Sequence, residues 1–211
     1  MVFSSTVFLF LFLPIVLLLY YSAGKSLKNG ILLAASLFFY AWGEPVMVLL
    51  MLVSIVINYI LGLQVASSPF RSRRSKCYLG LAIFINLGFL AFFKYANFLV
   101  DNLNLLFKGL HIAQINMDTI ELPIGISFFT FQIMSYVIDV YRQDAKVQKS
   151  ILNLGLYISM FPQLIAGPIV RYSDVARQID DRQISIPGVA YGVRRFIVGL
   201  GKKVLIANLL G

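Results

Sequence analysis

Long apolar runs separated by short polar connectors dominate the sequence. The first four lie at residues 3–20, 30–42, 46–62 and 78–99. A helix of about 20 apolar residues crosses the hydrocarbon core of a bilayer, which is about 30 Å thick. The run at 30–42 is short for a crossing and predicts either a tight hairpin or a partly inserted helix. The pattern as a whole predicts an all-α integral membrane protein, a polytopic helical bundle.

A further apolar stretch, from residue 121 to 172, contains residues that interrupt helices. Pro123 stands near its start, where the first turn of a helix tolerates proline. The second half is interrupted at Pro162 and again at Gly167 and Pro168. Such interruptions free backbone carbonyl groups, and lipid offers those groups no hydrogen bond. These positions therefore predict broken or re-entrant helices that are enclosed within the bundle.

Polar residues recur at helical spacing along the first half of this stretch. Gln132, Ser135, Tyr136 and Asp139 fall at i, i+3, i+4 and i+7, and Arg142 extends the same face. An amide and a carboxylate at membrane depth are unfavourable unless they face protein or water, so this face is a candidate site. The alternative is that Tyr136, Asp139 and Arg142 lie at the headgroup boundary and anchor the end of the helix.

The charged residues give this arrangement an orientation. The chain has a net charge of +9, although charged residues make up only 13% of it. The connector at 67–76 holds four basic residues and no acid, which is typical of a cytoplasmic loop under the positive-inside rule. The alternative is a patch for anionic lipid or an acidic partner. This orientation predicts an N-terminus on the non-cytoplasmic side of the membrane, and the charge requires no nucleic-acid partner.

The segments between and after these runs are more polar. Residues 100–120 predict an external loop with an interfacial helical piece, and residues 171–187 predict a solvated loop or an interfacial helix. Residues 188–210 predict either an amphipathic helix in the interface or a crossing helix with snorkelling basic residues. The single cysteine, Cys77, excludes an intrachain disulfide and a cysteine-based metal site. No other metal-ligand cluster stands out in the sequence.

Several ordered blocks of the sequence carry a family resemblance. They are PIGISFFTFQ, SYVIDVYR and FPQLIAGPIVRY in the interrupted stretch, FFYAWGEP at 38–45 and FFKYANF at 92–98. Together they resemble the membrane-bound O-acyltransferase family, in the bacterial branch that includes alginate O-acetyltransferase and the teichoic-acid D-alanyl transfer protein. The blocks extend over nearly the whole chain, and the resemblance rests on their order and number. It implies a multi-pass protein of the bacterial cytoplasmic (inner) membrane, in which the orientation given above makes the N-terminus periplasmic.

This resemblance implies transfer of an acyl group, in this branch an acetyl group, across the membrane to hydroxyls of an exported polysaccharide such as alginate. The donor, acetyl-coenzyme A or an acyl-carrier protein, would be a substrate, and no bound cofactor is implied. The implied partners are membrane lipid and a polysaccharide acceptor reached through periplasmic acetylation or polymer-export proteins. The polar face of Gln132 to Asp139 and the segment from Gln163 to Arg171 are expected to line the transfer cavity or support it, without making bonds.

Members of the family act through a histidine in an apolar segment downstream of the GPIVRY block. The only histidine here, His111, precedes that block and lies in a polar neighbourhood, so no catalytic residue is assigned. Family members of this branch are more than twice as long. We therefore expect residues 1–211 to be the N-terminal part of a single domain, with its C-terminal half absent and the catalytic histidine beyond Gly211. On this expectation the chain alone is inactive.

Two other classes of protein fit parts of the pattern. A non-catalytic membrane scaffold, or a fragment, would recruit partners of an exopolysaccharide system. A transporter component would also show discontinuous helices and polar residues within spans, but the sequence contains no evident inverted repeat. The GxGK string at 199–202 lacks the preceding strand and the spacing of a phosphate-binding loop.

Overall fold

The computed structural model describes residues 3–164, 167 and 170–208, and this part of the chain is helical, with no strand. The elements, in chain order, are a π-helical turn at Phe8–Phe12, α1 (Leu13–Ser22), α2 (Lys28–Ala41), α3 (Met47–Ser67), α4 (Arg73–Gly109), α5 (Ile126–Arg142), α6 (Ile151–Ser159), α7 (Phe161–Leu164), α8 (Tyr172–Asp180), α9 (Ile186–Lys202) and a second π-helical turn at Lys203–Ala207. The all-helical prediction is confirmed for these residues. Pro168 lies outside the described residues.

Two of the described helices, α3 and α4, are long and apolar enough to cross a bilayer. The apolar helices at Phe8–Ser22 and Lys28–Ala41 are shorter than the usual span. All four helices coincide with apolar runs of the sequence. In such a run the apolar side chains contact lipid or other helices, and the helix satisfies the backbone hydrogen bonds internally. Their boundaries lie within five residues of those runs at every end except the C-terminus of α4.

The prediction of a loop from residue 100 is wrong for residues 100–109. These residues continue α4, which runs for 37 residues and is therefore about 55 Å long. The polar residues Asp101, Asn102 and Asn104 suggested a loop, but residues 89–108 contain no proline or glycine that would interrupt the helix. The amide of Asn102 even donates to the carbonyl of Phe98 one turn earlier. The exposed polar residues of this segment therefore lie on a helix that continues beyond the apolar run.

The irregular chain after α4 returns along the helix. The side chain of Asn104 bonds both the N–H and the carbonyl of Ile115, at 2.7 and 3.0 Å. About two turns earlier, Asn97 bonds both backbone groups of Ile120, at 3.0 and 2.8 Å. These two asparagines replace the backbone partners that an isolated extended chain would lack. Of the predicted loop, only residues 110–120 are therefore irregular, and Ile115 and Ile120 hold them against α4.

The predicted place of Pro123 in the first turn of α5 is also wrong. The helix begins at Ile126, three residues later, directly after Gly125. Gly125 adopts a positive φ of 78°, which ends any helical path through this position. A Cβ at this glycine would also lie only 3.0 Å from the carbonyl oxygen of Leu164. Pro123 is buried ahead of the helix, and its carbonyl accepts the N–H of Ile126 at 3.2 Å.

The buried side chains form two clusters. The larger lies among α2, α3, α4, α5, α6 and α8 and contains Met51, Ile133, Val137 and Leu154. The smaller is largely aromatic and joins the N-terminal helix to Phe39 and Phe161. In contrast, α9 contains no buried residue, and among the described residues its packing neighbour is the π-helical turn that follows it. The bundle that encloses the interrupted stretch is therefore built from residues before α9.

Charged side chains separate to the two ends of this bundle. One end, here called the basic end, contains the connectors α1–α2, α3–α4 and α5–α6 together with α8. The residues at this end are Lys25, Lys28, Arg71, Arg73, Arg74, Lys76, Arg142, Asp144, Lys146, Lys149, Arg171, Asp174, Arg177, Asp180, Asp181 and Arg182. The opposite end contains Glu44, Lys94, Asp101, Lys108, Asp118 and Glu121. Basic residues outnumber acidic ones threefold at the basic end, and acidic residues are in excess at the other.

Candidate functional site

Residues 151–172, here called the interrupted segment, do not form one continuous helix, since α6 ends at Ser159 and α7 begins at Phe161. Helix α6 ends because Met160 leaves the helical region, with φ −48° and ψ 111°. The carbonyl of Tyr157 would accept the N–H of Phe161 in a continuing helix. That N–H instead donates to Ser36 Oγ on α2, at 3.2 Å. The break therefore leaves the Tyr157 carbonyl without its helical partner inside the core.

Two glutamine side chains satisfy this carbonyl. Gln132 Nε2 donates to it from α5 at 2.7 Å, and Gln163 Nε2 donates from α7 at 2.6 Å. Gln132 is almost completely buried, and Tyr157 is buried with it. A carbonyl oxygen has two lone pairs, so both bonds can form together. The two amides predicted as site residues thus meet at one backbone atom.

Gly167 lies directly against α7. A Cβ on Gly167 would lie 2.5 Å from Gln163 Cα and 2.7 Å from its carbonyl oxygen, which leaves room only for glycine. Val170 lies beside α6, because its carbonyl accepts the hydroxyl of Tyr157 at 2.8 Å. Glycine at 167 is therefore required by close approach, in addition to interrupting the helix.

Both ends of the interrupted segment meet at Gln148, in the connector between α5 and α6. The side-chain oxygen of Gln148 accepts the N–H of Ser150 at the start of α6, at 3.0 Å. Its Nε2 donates to the hydroxyl of Tyr172 at the start of α8, also at 3.0 Å. Its backbone N–H donates to the hydroxyl of Tyr136 at 3.1 Å. One buried residue thus joins α5, α6 and α8 at the basic end.

Three tyrosines pack beside Gln148. The Tyr136 and Tyr172 rings meet edge to face at 4.9 Å, and the Tyr157 and Tyr172 rings do so at 5.2 Å. Tyr136 also lies against Gly62 of α3, where a Cβ would come within 3.1 Å of the ring. The ring therefore fills the space that the missing side chain leaves. Tyr136, predicted as a site residue, has a packing role here.

The remaining predicted residues of the polar face differ in burial. Asp139 is buried, and within the described part of the chain its Oδ2 has no hydrogen-bond partner. Its backbone carbonyl accepts the N–H groups of Asp144 and Ala145 and so ends α5. Ser135 is half-buried, whereas Arg142 and Arg171 are exposed at the basic end. The deep part of the face is thus Gln132, Tyr136 and Asp139.

Sequence reasoning missed Gln148, Tyr157 and Tyr172. Gln148 lies in a connector whose basic residues suggested only a loop, and no local pattern marks it as buried. Tyr157 and Tyr172 stood within an apolar stretch in which aromatic residues are common. A usable signal was the proline at 162, since it implies a freed carbonyl about four residues earlier. The identity of the donors to that carbonyl depends on long-range packing.

The described residues hold no cluster of three metal-ligating side chains. His111 lies in an exposed turn just after α4 and has a positive φ of 55°. It belongs to the end opposite the basic end, beyond the last turn of α4. The interrupted segment therefore offers amides and hydroxyls, and the polar face of α5 adds the carboxylate of Asp139. Such groups bind and position polar groups.

Comparison with known proteins gives these features a context. Residues 30–211 match MBOAT, the membrane-bound O-acyltransferase family. Over 210 residues the chain is 43% identical to the "Probable alginate O-acetylase" of Pseudomonas aeruginosa, covering all of this chain and 40% of that protein. The corresponding protein of Azotobacter vinelandii is 41% identical over 210 residues, which are all of this chain and 42% of that protein.

A relative named for another polymer also matches. The peptidoglycan O-acetyltransferase of Helicobacter pylori is 32% identical over 240 residues, covering 99% of this chain and 45% of that protein. No solved structure matches the chain. The chain spans about 40% of the length of the curated relatives it matches. The family match covers most of the chain, and the identities extend along its whole length, so the chain belongs to the membrane-bound O-acyltransferase family.

Proposed function

We propose that this chain forms the N-terminal part of an O-acetyltransferase that transfers an acetyl group to hydroxyls of an exported polysaccharide. The observation that carries the proposal is the similarity along the full chain to proteins named as alginate O-acetylases. The match to a protein named as a peptidoglycan O-acetyltransferase supports a carbohydrate acceptor more broadly. Alginate is the first acceptor to test, because the identities to that group are higher.

The proposed chemistry joins the acetyl carbonyl carbon to an acceptor hydroxyl oxygen. A general base takes the hydroxyl proton as the new ester C–O bond forms, the thioester C–S bond to the donor breaks, and the donor leaves as a thiol that takes up the proton. The donor is acetyl-coenzyme A or an acyl-carrier protein, used as a substrate on the cytoplasmic side. His111 is a poor base for this step, since it is exposed and far along the chain from the interrupted segment. The base is expected among residues outside this chain.

The proposed topology places the basic end in the cytoplasm and the opposite end in the periplasm of a bacterial inner membrane. The excess of basic residues at one end supports this orientation. α1 runs toward the basic end, so the N-terminus is periplasmic in this arrangement. Acetylation of an exported polymer would then bring the protein together with periplasmic acetylation or polymer-export proteins.

In this topology the interrupted segment is re-entrant. Its two ends meet at Gln148 at the basic end, whereas Leu164 lies against Gly125 at the opposite end of α5. A segment with that path enters from the cytoplasm and returns to it. Irregular backbone at membrane depth is tolerated when it is enclosed by protein or lines a cavity, and the bonds to the Tyr157 carbonyl meet that requirement.

The polar face and the segment from Gln163 to Arg171 are proposed to support the transfer path. Gln132 and Gln163 hold the break in α6, and Asp139 contributes a buried carboxylate near the cytoplasmic end of α5. None of them is proposed to form or break a bond. Their effect on transfer would come from the position of the interrupted segment.

The function is tested in the natural host by deleting the gene and restoring the full-length protein. O-acetyl esters on the exported polysaccharide and on peptidoglycan are measured separately, as acetate released by mild base. We expect the deletion to remove acetyl esters from one of the two polymers and the restored gene to return them. Unchanged esters on both polymers, with a normal amount of polymer exported, would contradict the proposal.

The supporting role is tested with Gln132→Ala and Asp139→Ala in the full-length protein. We expect both to lower acetyl transfer while some protein remains in the membrane, and Leu152→Ala, an exposed position on α6, to leave it near normal. If both replacements on the polar face left transfer untouched while Leu152→Ala abolished it, the role assigned to this face would be wrong.

A further inference from the structure

An apolar cavity of about 280 Å³ lies between α1, α2, α6–α7 and α8. We call it the α1 slot. Leu13, Val16, Leu17 and Leu32 form its apolar wall, and Met160 and Phe161 line it too. Leu17 is partly exposed, and its neighbours Leu18 and Leu19 on α1 are strongly exposed. The slot is therefore bordered by a helix whose outward surface is apolar, as lipid-facing surfaces are.

A polar cavity of about 540 Å³ adjoins the slot at the basic end. The two cavities share Tyr20, Ile179 and Arg182 in their walls. Lys25 and Lys28 line the polar cavity as well. An apolar slot thus continues directly into a chamber lined by three basic side chains.

Two of these cations are held on one tyrosine ring. Lys28 Nζ lies 4.8 Å from the centroid of the Tyr20 ring, and the guanidinium carbon of Arg182 lies 5.8 Å from it. Arg182 also donates to the Tyr20 hydroxyl at 3.1 Å. Ring faces attract cations, so Tyr20 gathers two positive charges that would otherwise repel each other.

Two carboxylates also line the polar cavity, and they bear on what it binds. Asp180 Oδ1 already accepts from Gln148 at 3.3 Å and from Asn153 at 3.2 Å. Asp181 is exposed, and its backbone N–H closes the end of α8 by donating to Arg177. Neither carboxylate lines the α1 slot, whereas Arg182 lines both cavities and shares the Tyr20 ring with Lys28.

We propose that the α1 slot and its cations bind one anionic phospholipid, with an acyl chain in the slot and the phosphate between Lys28 and Arg182. The apolar wall of the slot would contact the acyl chain, and the two cations would bind the negatively charged phosphate. The slot borders an apolar helix surface, so the ligand reaches it from the bilayer. The bound lipid would join α1 and α2 to α8 and so brace the interrupted segment. The site is separate from the proposed acetyl transfer.

The test uses the full-length protein, purified in detergent, and native mass spectrometry with phosphatidylglycerol or phosphatidylcholine of identical chains. We expect one phosphatidylglycerol to bind more tightly than phosphatidylcholine. The double variant Lys28→Gln/Arg182→Gln should lower phosphatidylglycerol affinity at least about tenfold, as two interfacial cations would. The matched control, Arg73→Gln/Arg74→Gln, removes the same charge from the basic end but leaves the slot intact.

The comparison of lipids on the unmodified protein keeps the proposal testable even if a variant does not fold. Equal binding of the two lipids would overturn it, and so would an equal loss in both double variants. Glycerophosphoglycerol, which has the headgroup without chains, should not compete. Displacement of phosphatidylglycerol by micromolar acetyl-coenzyme A would also overturn it, since the slot would then serve the acyl donor.

Discussion

The α3–α4 pair and the polar face beside the interrupted segment both contain buried polar side chains, but these side chains have different partners. In the pair, Asn58 and Asn86 bond each other at 2.7 and 3.2 Å and are both buried. Each also bonds a carbonyl of its own helix, one turn earlier. In the interrupted segment, Gln132 and Gln163 bond a backbone carbonyl that the break in α6 has freed. The polar residues of the α3–α4 pair therefore bond each other across two helices, whereas the two glutamines satisfy a backbone carbonyl that has lost its helical partner.

The difference follows from helix continuity. α3 and α4 satisfy their own backbone, so their asparagines need only each other, and removing both leaves no group without a partner. The Tyr157 carbonyl is different, because its partner was lost when α6 ended at Met160. It stays in the core whatever side chains surround it. Variants that remove donors should therefore behave in opposite ways in the two regions.

The largest expected effect comes from Gly167→Ala. The new Cβ would lie 2.5 Å from Gln163 Cα, so residue 167 could not keep its close approach to α7. We expect a loss of about 3 kcal/mol or more in stability, at the upper end for overpacked sites. The measurement is the thermal unfolding midpoint of the full-length protein in detergent, together with its amount in the membrane.

Gly88→Ala on α4 is the matched control. A Cβ there meets nothing within 4 Å, so the change should be neutral or slightly stabilising because alanine favours helix. Equal unfolding midpoints for the two alanine variants would show that the close approach at Gly167 is unimportant.

The second effect is non-additive and concerns the Tyr157 carbonyl. Gln132→Leu and Gln163→Leu each remove one of its two donors, so each should cost about 1 kcal/mol. The double variant leaves the carbonyl unsatisfied and should cost more than the two single changes together, with a coupling of about 1 kcal/mol. A double-variant cycle of unfolding free energies measures it. Gln64→Leu, an exposed glutamine on α3, provides the control, and strict additivity would refute the shared carbonyl.

The third prediction concerns Asn58 and Asn86, whose coupling energy should have the opposite sign to that of Gln132 and Gln163. Asn58→Leu or Asn86→Leu alone leaves a buried amide without its partner and should cost about 1 kcal/mol, within the range for polar pairs in membrane helices. The double variant removes both amides and should recover most of that loss. The same unfolding measurement applies, with Asn102→Leu on the exposed end of α4 as control. A double variant less stable than either single one would mean that the asparagines have further partners.

Particular residues show how far the sequence predicts this structure. The apolar runs predict the helices well, because burial in lipid or protein follows from composition over a long window. The interruptions near Pro162 and Gly167 were also predictable, because proline removes a helical hydrogen-bond donor and glycine weakens a helix. Gln148 was not, because its partners Tyr136 and Tyr172 lie 12 and 24 residues away and only the packed fold brings them together. The extent of α4 was missed because exposed polar residues are compatible with both a loop and a helix.

The smallest expected effect is that of His111→Ala. The side chain is exposed just after the last turn of α4, at the end of the bundle opposite the basic end. Its positive φ of 55° is unfavourable for alanine as well as for histidine, so stability should change by less than about 0.5 kcal/mol, as at most surface sites. Acetyl transfer by the full-length protein should stay within about twofold of normal, whereas Gln132→Ala should lower it. A large loss of transfer at His111, with normal protein in the membrane, would place the chemistry beside α4 and would reverse the assignment of function to the interrupted segment.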